Sequence, residues 1–122
     1  MTRVLLIAGG DVFPEIVADR LRERGFVVTA VGEPDEYQRV LLNERFDIVI
    51  TTNVHIAASA MLTITSQVSE FQPQARIIAV SGHAPPEFVA KTIINGAIRF
   101  VPLHFTNGDD LVDELVKVMN GE

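Results

Sequence analysis

Five short apolar runs constrain this fold more than any other feature of the sequence. They are rich in Val and Ile and lie at residues 3–8, 26–31, 46–51, 75–81 and 98–103. The runs mostly lack the alternation of apolar and polar residues that marks a strand with one exposed face. Continuous apolarity is typical of strands buried on both faces of a parallel sheet. The sequence therefore predicts five such strands.

Helical spacing in the segments between the runs predicts five helices, of which the third and the first have the clearest apolar stripes. A third helix over about residues 54–71 is predicted from an apolar stripe at steps of three and four. The stripe consists of Ala57, Met61, Ile64, Val68 and Phe71. The same spacing, at Phe13, Val17 and Leu21, predicts a first helix that Gly25 ends.

Three further helices complete the pattern. The second is predicted around 35–44 with Tyr37 and Leu41 inward, and the fourth between Pro85-Pro86 and Gly96. The last has an apolar stripe at Leu111, Val112, Leu115, Val116 and Met119. Asp109 and Asp110 belong to its first turn, where the helix dipole favours carboxylates.

The alternating order of strands and helices predicts a parallel sheet covered by helices on both faces, with right-handed crossovers. In such sheets the ligand or reactive site lies beyond the carboxyl ends of the strands. The residues that follow the predicted strands at this edge are 8–11, 51–55, 81–83 and 103–105.

Composition excludes several classes of function. The 122 residues, 48% apolar and 21% charged, suit one domain spanning 1–122. The chain has no cysteine, so disulfides, thiolate metal sites and a cysteine nucleophile are excluded. A net charge of −6 argues against nucleic acid as a partner. The N-terminal apolar run is too short for a signal peptide or a membrane span, so we expect a cytoplasmic protein with no membrane partner.

Four features in order resemble the receiver domain of two-component response regulators over nearly the whole chain. They are the five-unit strand and helix order, "FDIVIT" as third strand, "IIAVSG" as fourth strand ending in a hydroxyl residue, and "NGAIRFVPLHF" in place of the family's Gly-Ala, aromatic, Lys-Pro-Phe segment. The resemblance implies an α/β, doubly wound, five-stranded parallel sheet of order 2-1-3-4-5, a flavodoxin- or CheY-like three-layer sandwich. It places the first and last helices on one face and the other three on the opposite face.

The resemblance also implies where a phosphorylation pocket would lie. Receivers use an acidic pair for Mg²⁺, an aspartate as phosphoacceptor, a hydroxyl residue and a lysine. These fall, in that order, on Ala8 and Gly9, Thr52, Ser81, and Leu103. A shift of two residues would bring Asp11 to the pocket. Threonine cannot form an acyl phosphate, so the chain resembles a pseudo-receiver with a degenerate pocket.

Because the phosphoacceptor is missing, the resemblance predicts a stand-alone, non-enzymatic signalling module of two-component or phosphorelay systems, with no cofactor. We expect it to act through phosphorylation-independent association with a protein partner or with a second copy. The resemblance implies that the association surface is the face of the fourth helix, the fifth strand and the last helix. The residues predicted at its centre are Arg99, Phe100, Val101 and Leu103. Arg99 is predicted to face solvent because its neighbours Ile98 and Phe100 are predicted to point inward.

Three alternatives remain open from the sequence. Gly9-Gly10, with Glu33 after the second strand, would suit a Rossmann-type nucleotide or ligand-binding domain or enzyme, although Val12 and Glu15 stand where its further glycines belong. His55, His83 and His104 follow neighbouring strands and, with Asp11, would suit Zn²⁺, although no local ligand spacing supports a site. A receiver phosphorylated by an unusual route is the third.

Overall fold

The computed structural model describes the backbone of residues 2–7, 12–31, 34–52, 58–81, 97–102 and 108–120, and the side chains of 2–7, 15–31, 37–51, 64–80 and 112–120. Its strands are β1 (Arg3–Ile7), β2 (Val27–Val31), β3 (Ile48–Thr52), β4 (Arg76–Ser81) and β5 (Ala97–Pro102). Its helices are α1 (Val12–Glu23), α2 (Pro34–Asn43), α3 (Ala58–Phe71) and α4 (Gly108–Met119). The predicted helix between Pro85 and Gly96 lies outside the described residues.

The five strands form one parallel sheet in the order β2-β1-β3-β4-β5, as predicted. The central pairings are regular: Leu5 of β1 pairs with Val49 of β3, and Val49 pairs with Ile77 of β4. Because β1, β3 and β4 each have a strand on both sides, both rows of their backbone groups are hydrogen-bonded within the sheet.

Alternate residues of the central strands pack into two separate cores, one on each face. The first core joins Leu6, Ile50 and Ile78 to α1 and α4; the second joins Leu5 and Val49 to α2 and α3. All five of these side chains are buried. The continuous apolar runs therefore arise because both faces of these strands are covered, and the helices fall on the predicted faces wherever the structure describes them.

The edge strand β2 differs from this pattern. Val28 is buried, but Val27 is 40% exposed and Ala30 is exposed. The prediction that every run is buried on both faces is therefore wrong for β2. Its apolar sequence does not reveal that the strand pairs on one side only and is incompletely covered by the neighbouring helices.

Gly25 ends α1 as predicted, through a Schellman motif. Gly25 has φ +95°, its N–H donates to the Arg22 carbonyl, and the Phe26 N–H donates to the Leu21 carbonyl. Phe26 also packs against the core that contains Leu21, which is the apolar contact common in this motif. The turn reverses the chain directly into β2.

The inward stripe of α3 departs from the prediction at its last residue. Ile64 and Val68 are buried as expected, but Phe71 is 39% exposed and the next residue, Gln72, is buried. Gln72 lies four residues after Val68 and so continues the same face of the helix. Its amide satisfies three backbone groups of the α2–β3 connection, which an aromatic ring could not do.

The last described helix, α4, is fixed by polar contacts as well as by packing. Val112 and Leu115 of α4 are buried as predicted. The Arg76 side chain donates to the Met119 carbonyl at 2.9 Å, and Arg24 forms an ion pair with Asp113. Among the described helices, none combines the length and apolar character needed to cross a bilayer.

Candidate functional site at the carboxyl edge of the sheet

The carboxyl ends of the strands meet at one edge of the sheet, where this architecture places its sites. The strands end at Ile7, Val31, Thr52, Ser81 and Pro102. Thr52 pairs with Val80 of the neighbouring strand, and Ser81 pairs with Pro102 of the next. None of these five strand ends has an ionisable side chain, and two of them, Thr52 and Ser81, are hydroxyl residues.

Thr51 is a fully buried polar side chain close to this edge. It pairs with Ile7 on one side and Ala79 on the other, and it is fully buried on the α2/α3 side of the sheet. Its Oγ1 atom has no hydrogen-bond partner within the described residues. A buried hydroxyl without a partner costs about 1–3 kcal/mol relative to a satisfied one. The position of Thr51 at the end of an apolar run is the signal in the sequence for a buried hydroxyl here.

Two described carboxylates lie just before β3 and so belong to the opposite edge. Asp47, directly before β3, accepts a hydrogen bond from the Arg3 N–H at 2.8 Å, and Glu44 forms an ion pair with the Arg3 side chain at 2.7 Å. Asp47 and Thr52 are separated by five residues of extended chain, or roughly 16 Å. Neither acid can therefore replace a carboxylate at the end of β3.

The structure places two residues of the predicted pocket and leaves the others undescribed. Thr52 ends β3 and Ser81 ends β4, so the backbone of both lies at the predicted edge. The side chains of both, and Ala8, Gly9, Asp11 and Leu103 entirely, lie outside the described residues. Their assembly into one pocket stays a prediction.

The three histidines of the alternative metal site also lie outside the described residues. These are His55, His83 and His104. Where side chains are described, no three His, Cys, Asp or Glu residues approach closely enough to hold a metal ion. Gly9-Gly10 and Glu33, the basis of the nucleotide alternative, are likewise undescribed.

The predicted interaction face is described in part. Arg99, Phe100 and Val101 lie in β5, but their side chains are not described, and Leu103 lies beyond the strand. The pairing shifts within β5: Ile77 pairs with Ala97, and Ile78 pairs with Arg99. Ile98 is thus the extra residue of a bulge, which interrupts strict alternation of side chains. The solvent exposure of Arg99 rests on that alternation and stays a prediction.

No protein-family model and no curated protein matches the sequence. A CheY-like response regulator receiver domain from Methanospirillum hungatei JF-1 superposes with a TM-score of 0.83 at 16% identity, over 99% of this chain and 95% of that one. This chain has the receiver fold.

Two other solved structures with this fold differ in what they are reported to do. A response regulator from Burkholderia pseudomallei, with a phosphorylated aspartic acid, a calcium ion and citrate, has a TM-score of 0.79 at 21% identity over 98% of this chain and 73% of that one. An atypical orphan response regulator, described as having a phosphorylation-independent regulatory mechanism, has a TM-score of 0.76 at 17% identity over 96% and 93%. At such identities the likeness carries the fold alone.

Proposed function

We propose that this protein is a signalling module with the receiver fold that acts by associating with a protein partner, without phosphoryl transfer. The observation that carries the proposal is the end of β3. In the receiver resemblance this position belongs to the phosphoacceptor aspartate, and here β3 ends in Thr51 and Thr52.

The chemistry of phosphorylation supports this reading. An aspartate accepts the phosphoryl group as an acyl phosphate, whereas threonine would form a phosphate ester of very different reactivity. Receiver chemistry also needs a divalent cation and an ammonium group to neutralise the phosphoryl oxygens. The residues matched to the acidic pair and to the lysine are Ala8, Gly9 and Leu103, none of which has a charge.

The likeness to the atypical orphan response regulator supports the same direction. That protein is described as having a phosphorylation-independent mechanism and shares the fold over almost its full length. Regulation without phosphoryl transfer is therefore reported for a protein of this architecture. We place this chain in the same functional class.

The partner surface in this proposal is the face formed by the predicted helix 85–96, by β5 and by α4. On its described side, α4 is held by two polar contacts, one at its middle and one at its last residue. Asp113 pairs with Arg24 of the α1–β2 turn, and the Met119 carbonyl accepts a hydrogen bond from Arg76. These contacts and the buried Leu115 hold α4 in place. In this proposal the face rests in one conformation whose bias is set by packing.

Loss of phosphoryl chemistry is tested with Mg²⁺ and beryllofluoride, which together mimic the phosphorylated state of a receiver aspartate. We expect no change in the amide ¹H–¹⁵N spectrum around Thr52 and Ser81 at millimolar concentrations. A conventional receiver in the same buffer provides the positive control. Saturable shifts at these residues, or an acid-labile adduct after incubation with acetyl phosphate and Mg²⁺, would contradict the proposal.

Association through the β5 face is tested with Arg99→Glu. We expect weaker self-association in sedimentation velocity, or weaker binding to partners recovered by affinity capture, with a change of stability within about 0.5 kcal/mol. Arg39→Glu, an equal charge change at an exposed position of α2, is the matched control. If the wild type is monomeric at every concentration and Arg99→Glu binds each recovered partner normally, the face assignment is wrong.

A further inference from the structure

A second surface feature lies at the other end of the molecule, between the carboxyl-terminal ends of α2 and α3. It is an open pocket of about 170 Å³, which we call the α2/α3 pocket. Its lining residues are Leu41, Leu42, Asn43, Glu44, Arg45, Phe71 and Gln72. The pocket lies beside the start of β3, on the edge of the sheet opposite Thr52.

The walls of the α2/α3 pocket carry two large apolar side chains that the core does not use. Leu42 is 66% exposed and Phe71 is 39% exposed. The inward positions of α2 are Tyr37 and Leu41, both buried, so Leu42 is not needed to hold the helix. Isolated exposed apolar residues are common, but two that line one pocket form a local apolar surface.

The floor of the pocket is fixed by the buried Gln72 side chain. Its Nε2 donates to the carbonyls of Leu41 and Glu44, at 3.0 and 2.6 Å, and its Oε1 accepts from the Phe46 N–H at 2.9 Å. These bonds tie the end of α3 to the α2–β3 connection. The pocket is therefore preformed, which lowers the ordering cost of binding.

The available charge at the rim is positive, although the whole chain is acidic. Glu44 is neutralised by its ion pair with Arg3. Arg45 is exposed, and within the described part of the chain it makes no hydrogen bond or ion pair. An unpaired guanidinium beside an apolar wall suits a carboxylate, which it can bind with two parallel hydrogen bonds.

We propose that the α2/α3 pocket binds an amphipathic acidic segment of a partner protein. One apolar side chain of that segment lies between Leu42 and Phe71, and a carboxylate pairs with Arg45. Recognition of an apolar anchor with a flanking charge is a common way for a helix to dock on a shallow groove. This surface is separate from the β5 face, so it stands or falls independently of the proposed function.

Size and charge favour this occupant over three others. At about 170 Å³ the pocket is smaller than the roughly 300–1,000 Å³ of typical small-ligand sites, and it suits one side chain. Nucleic acid would meet a chain with a net charge of −6. A two-fold symmetric dimer through the pocket would bring two Arg45 side chains together, and like charges would oppose it.

The test uses a synthetic helical peptide of about 15 residues, with leucines on one face and glutamates beside them. Titrated into the ¹⁵N-labelled full chain, it should give saturable shifts at the amides of Leu42, Asn43, Arg45 and Phe71. Two comparison peptides replace all leucines by serine or all glutamates by lysine. We expect neither to produce these shifts.

Variants of the protein locate the site. Leu42→Ser and Arg45→Glu should each weaken binding by about tenfold, as for a contact at the centre of a small interface. Ile16→Ser, at an apolar side chain of α1 that is 44% exposed, and Lys117→Glu, at an exposed cation of α4, are the matched controls and should bind as the wild type does. Circular dichroism verifies that each variant is folded.

Several results would overturn the proposal. They are the absence of saturable shifts with millimolar peptide, equal binding of the lysine peptide, and equal effects of Leu42→Ser and Ile16→Ser. Concentration-dependent dimerisation that Leu42→Ser abolishes would also overturn it, because it would identify a second copy as the occupant.

Discussion

The two edges of the sheet differ in how their polar groups are used. At the amino edge, side chains satisfy backbone groups and one another: Arg3 binds Glu44 and stacks 5.3 Å from the Phe46 ring centroid, Asp47 accepts from the Arg3 N–H, and Arg76 donates to the Met119 carbonyl. At the carboxyl edge, the described strand ends carry no ionisable group, and the buried Thr51 hydroxyl has no partner within the described residues.

This difference separates the residues that hold the fold from those that would carry chemistry. Polar contacts at the amino edge replace water around backbone groups of the α2–β3 connection, so their loss destabilises the protein. At the carboxyl edge, no described side chain of the strand ends satisfies backbone groups in this way. A change of residue at the end of β3 therefore leaves the strand itself, which is buried from Ile48 to Thr51, intact.

The largest change in the free energy of unfolding is expected in the centre of the sheet, between the two edges. Ile78 is 1% exposed in the core between β4, α1 and α4. Ile78→Ala should lower the free energy of unfolding by about 2–5 kcal/mol, because it opens a cavity that the neighbouring strands cannot close. Urea denaturation measures this loss.

Ile78→Val is the matched control, since it removes one methylene group and should cost only about 0.5–1.5 kcal/mol. A loss below about 1 kcal/mol for the alanine variant would contradict the packing of β4 described here.

At the amino edge, Gln72→Ala should lower the free energy of unfolding by about 2–4 kcal/mol. The substitution leaves the Leu41 and Glu44 carbonyls and the Phe46 N–H without their partner, and each unsatisfied buried group costs about 1–3 kcal/mol. Water that enters from the α2/α3 pocket offsets part of this cost. Urea denaturation again provides the measurement.

Glu70→Ala is the control for this variant, because Glu70 is an exposed residue of α3 and such changes usually stay within about 0.5 kcal/mol. Equal stability of the two variants would show that the amino edge does not depend on the Gln72 amide.

The fold could be predicted from the sequence where one physical signal dominated. The continuous apolar runs of β1, β3 and β4 and the glycine turn after α1 were sufficient, because burial on both faces and positive φ each leave a clear mark. The solvent exposure of β2 and the bulge at Ile98 were not predicted. The exposure depends on which strand lies at the edge of the sheet, and the bulge depends on how β4 and β5 align. The sequence of a single strand determines neither.

The candidate site could be predicted to a lesser degree. The ends of β3 and β4 at Thr52 and Ser81 follow from the strand pattern. Gln72 could not be recognised as a buried clamp, because the helical spacing fits Phe71 almost as well. Gln72 is buried because its amide binds the Leu41 and Glu44 carbonyls and the Phe46 N–H. These groups come together only once α2, β3 and α3 are packed, so the sequence of α3 alone does not reveal them.

The smallest effect is expected at the carboxyl edge, and it has the opposite sign. Thr51→Val replaces the unpartnered Oγ1 with a methyl group of nearly the same shape, so it should raise the free energy of unfolding by about 1 kcal/mol. Thr65→Val is the comparison: Thr65 is equally buried but does make an interaction, so the same change there should not stabilise. Paired urea denaturation curves measure both variants. A loss of stability in Thr51→Val would mean that the hydroxyl has a partner after all, and the contrast between the two edges would then be wrong at its central residue.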